Sequence, residues 1–222
     1  MRAWIVALSL GLAACVSARG AQDTQTPFAN QPPTQTAPQS YPTAVDLPAG
    51  TYHMDPRHSS VLFRIRHEGL AWFTARFDTK DATLELNASD PAQSHLTASV
   101  DAASVNTGLT NGQGERGFDH AIGNALGAQT SPQITFASTS IERTGQFTAR
   151  VTGDLTMNGQ THPAVFDATF DGGKTDVLRG GAVAVGFSAH ATIDRSQWGV
   201  TQWGAFAGND VQIVIECELT HS

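Results

Sequence analysis

Apolar and polar residues alternate with a period of two through most of the chain beyond residue 50, and the clearest example spans residues 61–77. This period is typical of a strand with one buried face. Glu68-Gly69-Leu70 interrupts it, and the alternation then resumes, so the segment is predicted to form a β-hairpin. Its predicted inner face is aliphatic and aromatic with a single histidine, and consists of Val61, Phe63, Ile65, His67, Ala71, Phe73, Ala75 and Phe77.

Further alternating segments follow the hairpin at short and regular intervals. Asn158-Gly159 marks a second tight hairpin turn, because both residues tolerate a positive φ. The pattern predicts about eight to ten strands and an all-β, antiparallel barrel or sandwich. The remaining segments begin near Ala82, Leu96, Ile134, Thr148, Pro163, Val183 and Val211.

One long connection, residues 106–131, does not alternate and is rich in glycine. Within it, Phe118, Ile122 and Leu126 recur at helical spacing, which predicts a short helix in the range 115–126. Long connections inside compact β domains commonly have a function. We therefore expect this one to form a flap over one end of the barrel.

The N-terminus has the pattern of a signal peptide. Arg2 precedes a short apolar run, residues 3–12, which is too short for a permanent membrane span. Leu12-Ala13-Ala14-Cys15 resembles the lipobox of bacterial lipoproteins. This resemblance implies removal of residues 1–14 and lipidation of Cys15; the alternative is an ordinary signal peptide with an incidental cysteine. Val16 stands where an inner-membrane retention signal would have Asp, so an outer-membrane lipoprotein on the periplasmic side is expected.

Residues 15–48 differ in composition from the rest, being rich in Pro, Gln and Thr. Such a segment buries too little apolar surface to offset the entropy of ordering, so a disordered tether is predicted. The folded domain is expected to occupy residues 49–222.

Composition narrows the function classes. The chain has 13 basic and 20 acidic residues, a formal net charge of −7, and no basic run. A nucleic-acid partner is therefore not expected. The eight histidines and two cysteines show no metal-ligand spacing, so no metal site is predicted. Cys217 falls on an apolar strand face and is predicted to be a buried, inert thiol.

Five segments, in order, resemble the YceI-like family of bacterial envelope proteins and together cover residues 50–219. They are Tyr52-His-Met-Asp-Pro-Arg-His-Ser-Ser-Val-Leu-Phe-Arg-Ile-Arg-His67, Ser131-Pro-Gln-Ile-Thr-Phe136, Gly153-Asp-Leu-Thr-Met-Asn-Gly-Gln-Thr-His-Pro163, Phe187-Ser-Ala-His-Ala-Thr-Ile-Asp-Arg-Ser-Gln-Trp-Gly199 and Gly208-Asn-Asp-Val-Gln-Ile-Val-Ile215.

The resemblance implies a lipocalin-like antiparallel β-barrel of about eight strands. It also implies a lumen that binds a polyisoprenoid lipid, of the polyprenyl quinone or prenyl phosphate type, without catalysis and without a required cofactor. An eight-stranded barrel has room for one slender ligand, which agrees with this function. The inward strand positions then predict the ligand-binding residues: Phe63, Ile65, His67, Phe73, Phe166, Val185, Phe187, Ile213 and Ile215.

Two alternatives stay open at this point. The inward side chains could fill a solid core, as in a structural or stress-related envelope module that binds nothing. An enzyme could instead act on a lipid or quinone in the same cavity, with His67 and a residue of the flap. Asp55, His58 and Ser59 suggest a catalytic triad, but Asp55-Pro56 favours a local turn.

His67 itself is expected either to contact a head group or to hydrogen bond to backbone. The sequence is compatible with a monomer or an oligomer.

Overall fold

The computed structural model describes residues 47–177 and 180–222. The predicted signal peptide, the lipidation site Cys15 and nearly all of the predicted tether lie outside the described residues. The strands and the single described α-helix are β1 (Gly50–Met54), β2 (Ser60–His67), β3 (Ala71–Phe77), β4 (Lys80–Leu86), β5 (His95–Asp101), β6 (Val105–Asn106), α1 (Gly117–Ala125), β7 (Gln133–Arg143), β8 (Thr148–Met157), β9 (Gln160–Asp176), β10 (Ala182–Asp194) and β11 (Ala207–His221).

These strands form a closed antiparallel barrel. Hydrogen bonding connects them in the order β1–β4–β5–β7–β8–β9–β10–β11, and β11 pairs with β1 to close the ring. The remaining three strands lengthen strands of this ring rather than adding to it. β2 continues along the line of β1, β3 lies along the line of β4, and β6 continues along the line of β5, so the barrel has eight strands in cross-section. The predicted eight-stranded, lipocalin-like barrel with one short helix is confirmed.

The β2–β3 hairpin has the predicted register. Ile65 pairs with Phe73 and Phe63 pairs with Ala75, so the two inward rows adjoin. Glu68 and Gly69 both have positive φ, at 50° and 70°, and the Leu70 N–H donates to the His67 carbonyl at 2.9 Å, so the tight turn lies within the three-residue connection of residues 68–70. The outer face is polar and aromatic instead, and the guanidinium carbons of Arg64 and Arg66 lie 5.1 and 5.2 Å from the centroid of the Trp72 ring.

The strand directions define two barrel ends. At the helix end lie the β2–β3 turn, α1 and the connection of residues 195–206 between β10 and β11. At the terminal end lie the start of β1, the end of β11 and the β7–β8 turn of residues 144–147. Because β2 ends beside α1, the predicted flap and His67 share one end of the barrel.

Helix α1 closes against the 3₁₀ turn of Ala102–Ser104. A Cβ on Gly123 would lie 2.7 Å from the Ala102 carbonyl oxygen, so only glycine permits this approach. Ile122 and Ala125 are buried and belong to the core at this end of the barrel. The helix predicted from the spacing of its apolar residues is therefore present, two residues shorter at its N-terminal side and one at its C-terminal side than the range predicted.

Candidate functional site

A cavity of about 840 Å³ runs inside the barrel. This volume lies within the range of about 300–1,000 Å³ that is usual for small-molecule sites. Its wall includes residues from both ends, from His67 and Phe118 at the helix end to Leu86 and Phe147 at the terminal end. The interior is therefore hollow, and the solid-core interpretation is wrong for the described residues.

The structure brings eight of the nine predicted ligand-binding residues to this cavity. They are Phe63, Ile65, His67, Phe73, Phe166, Phe187, Ile213 and Ile215. Val185 does not line it. Its side chain points inward but is fully buried in a separate core cluster with Tyr52 and Leu219 at the terminal end. Leu47, from the segment before β1, packs against this cluster, and strand alternation carries no information about that.

Aromatic rings form much of the cavity wall. Phe136 meets Phe166 edge-on with 5.0 Å between ring centroids, and Phe170 lies 5.4 Å from Phe187. Flat, rigid rings give large apolar area with little loss of conformational entropy. Such a wall suits a long apolar molecule and offers it few hydrogen bonds.

The helix end of the cavity is bordered by aromatic side chains from three elements. The Phe118 ring of α1 lies 5.7 Å from Phe73 of β3 and 6.1 Å from Trp203 of the 195–206 connection. Phe206 also lines the cavity at this end. Sequence reasoning missed Trp203 and Phe206 as site residues, because they lie in a connection without periodicity. Phe136 was missed too, although it shares the alternation of the predicted strand around Ile134.

Arg195 is a buried cation at the same end. Its guanidinium donates hydrogen bonds to the carbonyl oxygens of Gly208 (2.9 Å), Val200 (2.8 Å), Gln202 (2.8 Å) and Ala207 (3.2 Å). Burial lowers the pKa of this guanidinium from its ordinary value, and the nearby Asp194 carboxylate opposes the shift. These bonds hold the connection that carries Trp203 and Phe206, so Arg195 shapes the cavity rim.

Asp119 holds α1 in place through side-chain hydrogen bonds, as Arg195 holds the 195–206 connection. Its carboxylate accepts hydrogen bonds from the Thr107 backbone N–H at 3.0 Å, the Thr107 hydroxyl and Arg116 Nε. Burial alone would raise the pKa of the Asp119 carboxyl, but the hydrogen bonds from Thr107 and Arg116 outweigh it and hold the pKa below its ordinary value. His120, the next residue of α1, is exposed and does not line the cavity.

Cys217 lines the cavity as a free, half-buried cysteine. Burial raises the pKa of its thiol to about 11, while a hydrogen bond with Ser59 opposes the shift. Ser59 Oγ also accepts a hydrogen bond from the Glu218 backbone N–H at 3.1 Å. The Ser59 hydroxyl is thus used by neighbours other than His58, which agrees with a structural turn rather than a triad.

The same turn brings together a group that the sequence did not predict. His58 Nδ1 lies 2.8 Å from Asp55 Oδ2 and 3.9 Å from Glu218 Oε2. The ligand atoms of these three residues lie within 4.8 Å of one another, close enough to hold a cation. Glu218 is 160 residues from His58 in the chain, so no local motif could have indicated the group. The His58–Asp55 hydrogen bond explains the geometry as a side-chain-stabilised turn.

No helix within residues 47–177 and 180–222 combines the length and the apolar character that crossing a membrane requires.

Comparison with known proteins places these features in context. The family model described as the YceI-like domain matches residues 52–219. A UPF0312 protein of Ectopseudomonas mendocina is 31% identical over 172 residues, which cover 77% of this chain and 87% of that protein.

Solved structures show the same fold. BcnA of Burkholderia cenocepacia superimposes with a TM-score of 0.64 at 20% identity, covering 74% of this chain and 98% of that one. A polyisoprenoid binding domain from Saccharophagus degradans, implicated in plant cell wall breakdown, gives a TM-score of 0.54 at 12% identity. It covers 79% of this chain and 100% of that one.

Proposed function

Because the chain belongs to the YceI-like family, we propose that it binds an isoprenoid lipid, a polyprenyl quinone or prenyl phosphate, inside its barrel without chemical turnover. The observation that carries this proposal is the 840 Å³ cavity with its aromatic and aliphatic wall. The polyisoprenoid binding domain of Saccharophagus degradans, which has a similar fold, supports the ligand class. The ligand is cargo, and no resident cofactor is part of the proposal.

The apolar wall accounts for the affinity. Burying a CH₂ group contributes about 0.8 kcal/mol, so about ten such groups supply the roughly 8 kcal/mol of a micromolar complex before ordering costs. The tail is proposed to lie along Phe63, Phe166 and Phe187 in the middle of the barrel. Binding of this kind needs few directed polar contacts.

The helix end offers the polar groups for a head group. His67, Gln202 and Arg195 all line the cavity there. His67 is exposed at the end of β2, where its ring can donate a hydrogen bond to a carbonyl or phosphate oxygen. The proposed orientation therefore has the head group near His67 and the tail running towards the terminal end.

The proposed setting is the periplasmic side of the bacterial envelope. The lipobox-like Leu12–Cys15 segment supports an outer-membrane lipoprotein with its lipid on Cys15. The Pro-rich segment before residue 49 would then connect the barrel to the membrane.

The direct test is mass spectrometry of lipids extracted from the protein purified from its native envelope. Ala189 lines the cavity, and His190, the next residue of β10, points outward and is exposed. Ala189→Trp should project a large ring into the cavity and reduce bound lipid to less than about a tenth, because the indole occupies volume that the lipid tail would otherwise take. His190→Trp is the matched control and should retain the lipid.

An empty parent protein that also takes up no added polyprenyl lipid would contradict the proposal. Turnover of an added quinone that disappears in His67→Ala would instead indicate an enzyme.

A further inference from the structure

The helix end of the barrel carries an exposed apolar surface, which we call the rim and define as Leu70, Phe118, Trp203 and Phe206. Their side chains are exposed by 79%, 42%, 41% and 55% respectively. Isolated exposed apolar residues are common, but a contiguous group of large ones marks an interaction surface. The rim is such a group, as its contacts show.

The rim is continuous from the β2–β3 turn to α1. Phe118 contacts Trp203 with 6.1 Å between ring centroids. The Phe206 backbone N–H donates to the Trp203 carbonyl at 2.8 Å, and the Glu68 N–H donates to the Phe206 carbonyl at 2.6 Å. Glu68 is two residues from Leu70, in the same turn. The turn that carries Leu70 is therefore hydrogen bonded to the segment that carries Trp203 and Phe206, and that segment contacts Phe118 of α1.

The rim is also continuous with the cavity. Phe118, Trp203 and Phe206 are exposed and at the same time line the cavity wall. A molecule that passes between the cavity and the outside at this end must pass these rings. For an isoprenoid lipid, which is insoluble in water, the outside phase that exchanges it is a bilayer.

Charge beside the rim favours an anionic surface. Arg64 and Arg66 lie on Trp72, on the outer wall next to the β2–β3 turn, and Arg66 also donates to the Gly69 carbonyl. Glu68 is the acidic residue of the same turn. Within β2 and its turn, these two arginines outnumber the one glutamate, whereas the chain as a whole has a net charge of −7. Tryptophan and arginine together are typical of the bilayer interface.

We infer that the rim docks onto the surface of a bilayer that contains anionic phospholipid, and that the opening between Phe118 and the Trp203–Phe206 segment is where a lipid enters the cavity. This inference rests on the proposed function. It adds the membrane as a second partner of the folded domain, separate from the proposed anchor at Cys15, and it assigns the entrance to the helix end.

The test uses the full chain, anchored to vesicles of phosphatidylcholine with or without phosphatidylglycerol, with bromine on the acyl chains as a quencher of tryptophan fluorescence. The signal of Trp203 is the tryptophan fluorescence of the parent protein minus that of the Trp203→Phe variant. Since the anchor is the same in every variant, this signal reports rim insertion and not anchoring. We expect quenching of Trp203, and stronger quenching in the vesicles with phosphatidylglycerol.

Variants outside the cavity wall test the contacts. Leu70→Glu places a charge in the rim and should abolish the quenching, whereas Val165→Glu, a 45% exposed position on the barrel wall, should leave it unchanged. Arg64→Gln combined with Arg66→Gln should remove the phosphatidylglycerol dependence, since each basic side chain at an anionic surface contributes about fivefold in affinity.

The outcomes separate the two proposals. No quenching of Trp203 in a protein that carries lipid overturns the docking and leaves the proposed function intact. Quenching in a protein that never holds lipid supports docking and contradicts the proposed function. A concentration-dependent dimer in sedimentation velocity that Leu70→Glu dissociates, without quenching, would show that a second copy covers the rim.

Discussion

The two ends of the barrel differ in how they are closed. Among the described residues, four large apolar side chains are both exposed and part of the cavity wall, and three of them, Phe118, Trp203 and Phe206, lie at the helix end. The terminal end has only Phe147. The helix end is thus covered by side chains that water still reaches.

The terminal end is held together by backbone pairing and a buried ring. Tyr52 is 0% exposed, donates from its hydroxyl to the Pro48 carbonyl at 2.8 Å, and contacts His221 at 4.9 Å between ring centroids. β1 and β11 form hydrogen bonds in this region, with Tyr52 opposite His221, so the first and the last strand stabilise each other.

The largest expected effect follows from breaking the helix-end network at Arg195. Arg195→Met removes the donor to four backbone carbonyls and should lower the free energy of unfolding by about 3–5 kcal/mol, since buried unsatisfied acceptors cost about 1–3 kcal/mol each and water reaches some of them. Urea denaturation measures the change. The free energy of unfolding of Arg195→Lys should lie between those of the parent and Arg195→Met, because one ammonium group cannot reach all four carbonyls. An unchanged midpoint in Arg195→Met would contradict this role.

The thiol of Cys217 reports on the interior near the terminal end. With its pKa raised to about 11 by burial, it should react with iodoacetamide at pH 7.4 roughly three hundredfold more slowly than a free cysteine of pKa about 8.5. The rate of alkylation followed by mass spectrometry measures this. Unfolding in urea should restore the ordinary rate, and equal rates in folded and unfolded protein would show that the thiol is not buried.

Acidification should loosen the helix end before the terminal end. The pKa of Asp119 is below its ordinary value in the folded protein, so its contribution to stability is complete above the unfolded pKa of about 3.9 and is lost as pH falls through the folded value. Asp119→Ala should lower the free energy of unfolding at pH 7 by about 2 kcal/mol. Hydrogen exchange of α1 amides at pH 7 and pH 3 measures the loosening, with β1 amides as the internal control.

In Asp119→Ala the difference between α1 and β1 exchange should no longer change with pH. If it still increased on acidification, another titrating group would hold the helix.

The smallest effect is expected at the terminal end. Tyr52→Phe keeps the buried ring and removes only the hydroxyl that donates to Pro48, so the free energy of unfolding should fall by about 1 kcal/mol. Thermal denaturation measures the shift. Tyr52→Ala would remove the ring as well and should cost several times more. A larger loss in Tyr52→Phe than in Arg195→Met would reverse the comparison of the two ends.

The strands, hairpins and helix could be predicted from the sequence because their signals are local. The alternation of Phe63 and Ile65 with Arg64 and Arg66 predicts both faces of β2, and the Asn158-Gly159 turn predicts how β8 and β9 pair. Eight of the nine predicted ligand-binding residues line the cavity for the same reason. Their role in binding a lipid stays a prediction.

The positions of Val185, Trp203 and Phe206 could not be predicted from the sequence, because they depend on contacts between segments that are distant in the chain. Val185 has the inward parity of Phe187 but lies in packed core, where Leu47 from the segment before β1 packs against the same cluster. Trp203 and Phe206 have no periodicity, and their place at the rim is imposed by the hydrogen bonds of Arg195.

The pattern of the sequence by itself determined an all-β domain whose strands have an apolar inner face, since a period of two assigns every side chain of a strand to one face, and the resemblance to a family added the barrel. Only the tertiary structure decided that this face encloses a hollow interior, that His67 and α1 share one end, and that aromatic residues border that end. The physical reason is that the interior volume depends on the number, tilt and closure of the strands and on what packs across their ends. None of these is a property of any one segment.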